Sequence, residues 1–276
     1  MSYTKLPIGT ANPGLIIILV DQSGSMSTAY TDGKSRSEFA ASAVNRTIYN
    51  ILLKCSAGAT IKNRCHVGVI GYGANTRLVI AGWVSEIEAL KQGQTTLHNQ
   101  EPDGEGGIVQ TEEILPTWVR PEAANGTPMA EAFDLASELV EAWTRDNPGN
   151  FPPIVINVTD GEPNDEPKAR QAAQRLVSFS TNDGNTLLFA AHIGNPSDGE
   201  VILPANTKGL NNQCAQFLYD TTSIIPSTLL GAAESAFGKD QKLASGARGF
   251  VMNAAAQTLT KLLVFGSNPI TAVRRD

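Results

Sequence analysis

Asp21, Ser23 and Ser25 occupy alternate positions in Asp21-Gln22-Ser23-Gly24-Ser25. A second aspartate, Asp160, opens Asp160-Gly161-Glu162-Pro163, and Thr127 lies in Asn125-Gly126-Thr127-Pro128. Two carboxylates and three hydroxyls make a set of hard oxygen donors. Such donors suit Mg2+, with Mn2+ or Ca2+ as alternatives, and do not suit zinc. The hydroxyls of Ser23, Ser25 and Thr127 can bind a cation directly. Asp21 and Asp160 can do the same, or can hold the cation's waters from one step further out. In the second arrangement the ion is under-neutralised and attracts one more anionic oxygen, such as that of a partner's Asp or Glu. Each piece also has an ordinary explanation. Serines satisfy turn backbone, Thr127-Pro128 is a sound N-cap followed by proline at the first helical position, and Asp160-Gly161 is a common turn pair.

The elements that must position these residues decide between the two readings. Residues 15–20, 66–72, 154–158 and 187–193 are short apolar runs, and residues 15–20 read Leu-Ile-Ile-Ile-Leu-Val with no polar alternation. A strand of that kind is buried on both faces, as in a parallel sheet covered by helices. Helical periodicity lies between the runs. Val44, Ile48, Ile51 and Leu52 form one stripe within residues 38–54. Met129, Phe133, Ala136, Val140 and Trp143 form another within residues 128–144. Residues 166–178, 208–217 and 226–237 are shorter helix candidates. This alternation predicts an α/β fold, doubly wound, with a mostly parallel central sheet flanked by helices and right-handed crossovers. Residues 76–81 are expected to pair with 66–72 as one antiparallel edge strand. Asp21 and Asp160 then each stand just past a buried strand, at the sheet edge where ligands of open α/β folds bind. That joint placement favours the metal reading.

Composition narrows the function classes. The chain has 276 residues, 21 basic against 27 acidic, and a net charge of -6. A surplus of acid and no cluster of Lys and Arg argue against nucleic acid and against an anionic membrane as partners. The three cysteines, Cys55, Cys65 and Cys214, form no CxxC pair. They read as small buried hydrophobes, with a Cys55–Cys65 bridge as an alternative. His66 and His192 fall within predicted buried strands and read as core histidines, whereas His98 reads as solvated. Glu162 and Asp165 flank Asp160 and either shape partner specificity or face water. No signal pattern is seen at the start of the sequence and no apolar run is long enough for a span, so a cytoplasmic protein is expected. Residues 93–126, rich in Gly, Pro, Glu and Thr, are expected to be a long connection or insertion, with a turn or mobile loop over residues 101–107. The core domain is expected over residues 13–237. Residues 238–276 are expected to form a C-terminal extension whose helix, within 247–265, packs on the domain.

The series Asp21-x-Ser23-x-Ser25, then Thr127, then Asp160-Gly161 resembles the metal-ion-dependent adhesion site of von Willebrand factor A domains. The likeness covers roughly residues 13–237. It implies a Rossmann-like von Willebrand factor A fold, in which Ser23, Ser25 and Thr127 are metal ligands, direct or through water, and Asp21 and Asp160 support them. Thr159-Asp160-Gly161-Glu162-Pro163-Asn164-Asp165 is similar to the soluble bacterial branch of that family, which accompanies kinases and phosphatases in stress-response gene sets. The implied function is a non-enzymatic, cation-dependent protein-binding module in a stress-response or signalling assembly.

Two other functions stand beside it: a metal-dependent phosphoester hydrolase using Asp21 and Asp160, and a scaffold that binds through the C-terminal helix. The enzyme reading is the weaker. No histidine falls in a site loop to act as acid or base, and Ser23 is not in a G-x-S-x-G elbow. No phosphate-loop or dinucleotide fingerprint is present. A haloacid-dehalogenase-type D-x-D reading is discounted, because the third position here is Ser23 and the general-acid carboxylate is absent.

Overall fold

The residue types of the first strand set the architecture. All of β1 (Gly14–Gln22) is buried. Leu15, Ile17 and Leu19 enter one apolar cluster, and Ile16, Ile18 and Val20 enter another. Successive side chains of a strand point to opposite faces, so β1 must lie inside a sheet covered on both sides.

The computed structural model describes residues 3, 8–31, 33–102, 108–210, 212–238 and 242–266. After β1 come α1 (Arg36–Cys55), the short strands β2 (Ser56–Ala57) and β3 (Thr60–Ile61), β4 (Cys65–Gly73), β5 (Arg77–Trp83), α2 (Val84–Ile87), β6 (Gly93–Pro102) and β7 (Ile108–Thr117). Then follow α3 (Met129–Asp146), β8 (Ile154–Thr159), α4 (Glu166–Ser178), β9 (Ser180–Thr181), β10 (Gly184–Asn185), β11 (Leu187–His192) and β12 (Val201–Ile202). The last elements are α5 (Gln213–Thr221), α6 (Ser227–Phe237), β13 (Phe250–Met252) and α7 (Ala256–Gly266). No helix among the described residues is long and apolar enough to cross a membrane.

Seven strands form the central sheet, in the order β12-β13-β11-β8-β1-β4-β5. The inner five run parallel. β5 pairs antiparallel with β4, which is the hairpin expected from the sequence. A second antiparallel edge strand, β12, borders β13 on the opposite side. Its two residues are too few to leave an alternating pattern.

One cluster gathers Val44, Ile48, Ile51 and Leu52 of α1, Phe237 of α6, and Leu259, Leu262 and Leu263 of α7. The other gathers Met129, Phe133, Ala136, Val140 and Trp143 of α3 with Ala169 and Leu176 of α4 and Phe217 and Leu218 of α5. The two helical stripes read from the sequence are therefore the buried ones. Burying each large aliphatic side chain contributes about 1.5–3 kcal/mol. This two-sided core is what makes the parallel sheet tenable.

Three segments depart from the sequence reading. Residues 93–126, expected as a long connection or insertion, have regular structure that the sequence did not show. They hold the β6–β7 hairpin, whose strands, among the described residues, pair only with each other. Thr, Gln and Glu on the exposed positions of both strands hid it, since alternation needs one buried face. Of the expected turn at 101–107, Glu101 and Pro102 end β6, and residues 103–107 lie outside the described residues. The helix expected within 247–265 begins only at Ala256, because Phe250–Met252 is a sheet strand beside β11. Residues 250–266, assigned from sequence to an extension, are built into the sheet and its helix layer, where Phe265 stacks on Phe189 at 5.4 Å. Helix α5 starts at Gln213 rather than 208, capped by Asn212, whose side chain accepts from the Ala215 N–H.

The hairpin is fastened at its base to α1. Buried Asn45 accepts from the N–H groups of Trp118 and Val119, each at 2.9 Å, and donates to Val119 O at 2.9 Å. Arg46 grips Glu113 with two hydrogen bonds of 2.9 and 2.8 Å. Leu115 and Trp118 are buried, and Trp118 Nε1 donates to Ile87 O at 2.7 Å. Asn45→Ala leaves two buried N–H groups and one carbonyl unpaired. It is expected to lower unfolding stability by about 2–4 kcal/mol in urea titration. A loss below about 1 kcal/mol would mean that water replaces Asn45 there without penalty.

Candidate metal centre

Asp21 is the eighth residue of a fully buried strand, so its carboxylate must find protein donors. Oδ1 accepts from the Ser23 N–H at 2.8 Å, and Oδ2 accepts from Thr159 Oγ1 at 2.6 Å. The first bond folds the chain back on itself, an Asx-type local bond. The second ties β1 to the end of β8. Ser23 is buried and leads into a single 3-10 turn, Gly24–Ser27. That turn brings Ser25 Oγ to 3.0 Å from Ser23 Oγ. Ser25 Oγ then donates to Asp160 Oδ1 at 2.7 Å. A continuous polar chain thus runs from Ser23 through Ser25 to Asp160, across the ends of two neighbouring strands.

Thr127 comes from a third loop, which is clamped to the second. The Thr127 N–H donates to Asn164 Oδ1 at 2.7 Å, and the Asn164 N–H donates back to Thr127 O at 3.0 Å. Gly126 is required for this approach, because a Cβ there would lie 2.6 Å from Asn164 Oδ1. Asn125 adopts a left-handed φ of 63° and its carbonyl accepts from the Gly24 N–H at 2.8 Å, joining the third loop to the first. A Cβ on Gly161 would lie 3.7 Å from Ser25 Oγ and 3.9 Å from Thr127 Oγ1. Hydroxyls from two loops therefore converge on the bare face of a glycine in the other.

All five residues named from the sequence are brought to one sheet edge. Four others were missed. Thr159 bridges to Asp21, and Asn125 and Asn164 join the loops. Arg36 Nη1 donates to Asp160 Oδ2 at 2.8 Å, and the Asp160 carboxylate is inaccessible to solvent. A signal for Arg36 was present. Ser35 and Glu38 form a capping box, with Glu38 N to Ser35 Oγ at 3.2 Å and Ser35 N to Glu38 Oε2 at 2.7 Å. It starts α1 at Arg36 and so places that side chain beside the site. Asp165 turns out to cap α4, accepting from the Lys168 N–H at 3.0 Å, while Glu162 is exposed. His192 ends β11 beside Thr159, and burial holds its imidazole below the usual range.

The donor chemistry fits a hard divalent cation. Asp21, Ser23, Ser25, Thr127 and Asp160 all offer oxygen, and among the described residues no cluster of three His, Cys, Asp or Glu offers a rival metal site. Ser25 spends its proton on Asp160 and accepts from Ser23, which leaves one of its lone pairs for a cation. Burial pushes the Asp21 carboxyl up to about 6, outweighing the hydrogen bonds from Thr159 and Ser23 that act the other way. Since 3.8 is its ordinary value, the folded state holds the Asp21 proton more tightly than the unfolded state does. Its contribution to stability is therefore greatest at acid pH and falls as pH rises through about 6. In chelator, the wild-type protein is expected to lose about 1 kcal/mol from this group between pH 5 and pH 7.5. Asp21→Asn should flatten that part of the slope in denaturant titrations at the two pH values. An unchanged slope would show that Asp21 is not the group responsible.

No protein-family model matches the chain, and no curated relative matches it. Among solved structures, the pilus adhesin SpaC from Lactobacillus rhamnosus GG superposes with a TM-score of 0.53 at 15% identity, over 94% of this chain and 30% of the adhesin. The manganese-loaded TRAP protein of Plasmodium vivax gives 0.40 at 15% identity, over 86% and 74%. The vWF domain of the type V pili tip protein Mfa5 from Porphyromonas gingivalis gives 0.33 at 13%, over 55% and 39%. The last two are too distant to carry an argument. The chain spans less than a third of the length of SpaC, and it is similar in fold to a portion of that adhesin.

Proposed function

We propose that this protein is a protein-binding module whose contact depends on a divalent cation, Mg2+ in the first instance. The observation that carries the reading is the convergence of Ser23, Ser25 and Asp160 in one hydrogen-bonded chain, with Thr127 Oγ1 facing the same spot across Gly161. The hydroxyls of Ser23, Ser25 and Thr127 would hold the ion, and Asp21 and Asp160 would balance its charge. Bound there, a divalent cation supplies positive charge and a coordination position for an oxygen anion.

The chain's own residues set what that position favours. Arg36 already neutralises part of Asp160, and Asp21 is pinned by Ser23 N–H and Thr159. The two carboxylates therefore balance less charge than two free ones would. That leaves a preference for an outside carboxylate, the side chain of a partner's Asp or Glu. Asn164 and Asn125 keep the three loops in register, so little ordering is needed on binding. The likeness in fold to part of an adhesin is in keeping with a binding role rather than turnover.

Titration of the purified protein with Mg2+ or Mn2+ while following thermal unfolding tests the cation step. A cation at about 100 times its dissociation constant should add about 2.7 kcal/mol of stability. Ser25→Ala should weaken cation affinity by about tenfold or more, and Asp160→Ala should remove the response. Retention of a partner from native lysate should then be lost both in EDTA and in the Ser25→Ala protein. Identical unfolding with and without cation, or retention indifferent to both changes, would refute the reading.

A further inference from the structure

Cys55 is the last residue of α1 and Cys65 the first of β4, and both are fully buried. The fold sets them side by side. The Lys62 N–H donates to Cys55 O at 3.0 Å, and the short β2–β3 pairing turns the chain back on itself. Both side chains lie in one buried cluster, and the two thiols are close enough to perturb each other. Cys214, the third cysteine, lies in the apolar cluster on the other face of the sheet. The proximity is therefore particular to this pair.

We propose that Cys55 and Cys65 are a disulfide-forming pair that closes the hairpin between α1 and β4 when a low-molecular-weight disulfide is available. The two sulfurs are not equivalent. The Cys65 thiol, with the positive charge of Arg64 and Lys54, holds the Cys55 thiol below the usual range, while the Cys55 thiol and burial hold Cys65 above it. The first attack falls to Cys55, beside the positive charge of Arg64 and Lys54. Its thiolate displaces one thiol from the oxidant and forms a mixed disulfide. The Cys65 sulfur, on losing its proton, attacks Cys55 Sγ and expels the second thiol. The pair gives up two electrons and two protons, and the oxidant is reduced to two thiols, so the step balances.

Access comes through the connecting segment. Residues 57–60, 62 and 63 are exposed, and β2 and β3 share a ladder of only two residue pairs. Opening this hairpin uncovers the pair without disturbing the central sheet. The bond would then fasten the end of α1 to β4, independently of any cation at the opposite end of the helix.

The test uses the native full chain incubated with oxidised glutathione, followed by alkylation in denaturant and peptide mapping. The expected product is a single Cys55–Cys65 cross-link with Cys214 still alkylated, and a midpoint of thermal unfolding raised by about 5 °C that reverts on reduction. Cys65→Ser should give Cys55 joined to glutathione and no rise in midpoint, and Cys214→Ser should cross-link like the wild type. Persistently free Cys55 and Cys65, glutathione stably retained on the wild-type Cys55, or a bridge to Cys214 would each overturn the proposal.

Discussion

A carboxylate at the end of a strand with no solvent on either face is the constraint from which the site follows. β1 is covered by helices on both sides, so Asp21 cannot be satisfied by water. Burying an ionised group without partners is prohibitive. Its two oxygens therefore recruit the Ser23 N–H and the Thr159 hydroxyl. The first of these bonds shapes the loop that carries Ser23 and Ser25. The second locks that loop to β8, whose next residue is Asp160. The geometry of the site is thus a consequence of satisfying one buried charge.

The loops are also held from the other side. Asn164 and Thr127 exchange backbone and side-chain bonds, and Asn125 accepts from Gly24. None of the three loops can move far without breaking a bond to another. Donors arranged in this way keep their positions whether or not a ligand is present, which is the usual requirement for a selective oxygen site.

Much of this was legible in the sequence, and the limits have physical causes. The strands carrying Asp21 and Asp160 announced themselves as unbroken apolar runs, because both faces are buried. The stripes of α1 and α3 were readable for the complementary reason, that one face is buried and the other is not. Ser23, Ser25, Thr127 and Asp160 could be named because each sits next to such an element. Thr159 and Asn164 could not, since their roles depend on partners far away in the chain, whereas Arg36 was marked only by the capping box that starts α1. The Phe250–Met252 strand was hidden by its length, and the β6–β7 hairpin by exposed polar residues such as Gln94, Thr95, Thr96, Gln110 and Glu112.

Helix α1 joins features that otherwise lie in different parts of the molecule. Its first residue, Arg36, is paired with Asp160, and Arg46, further along, holds the hairpin through Glu113. A helix rises about 1.5 Å per residue, so these two anchors are spaced by about 15 Å along a stiff axis. The spacing is insensitive to the loops between them. The helix is in effect a ruler. A partner that engages both the sheet edge and the hairpin must present two complementary features at that separation, and one whose features are closer or further apart can satisfy only one of them.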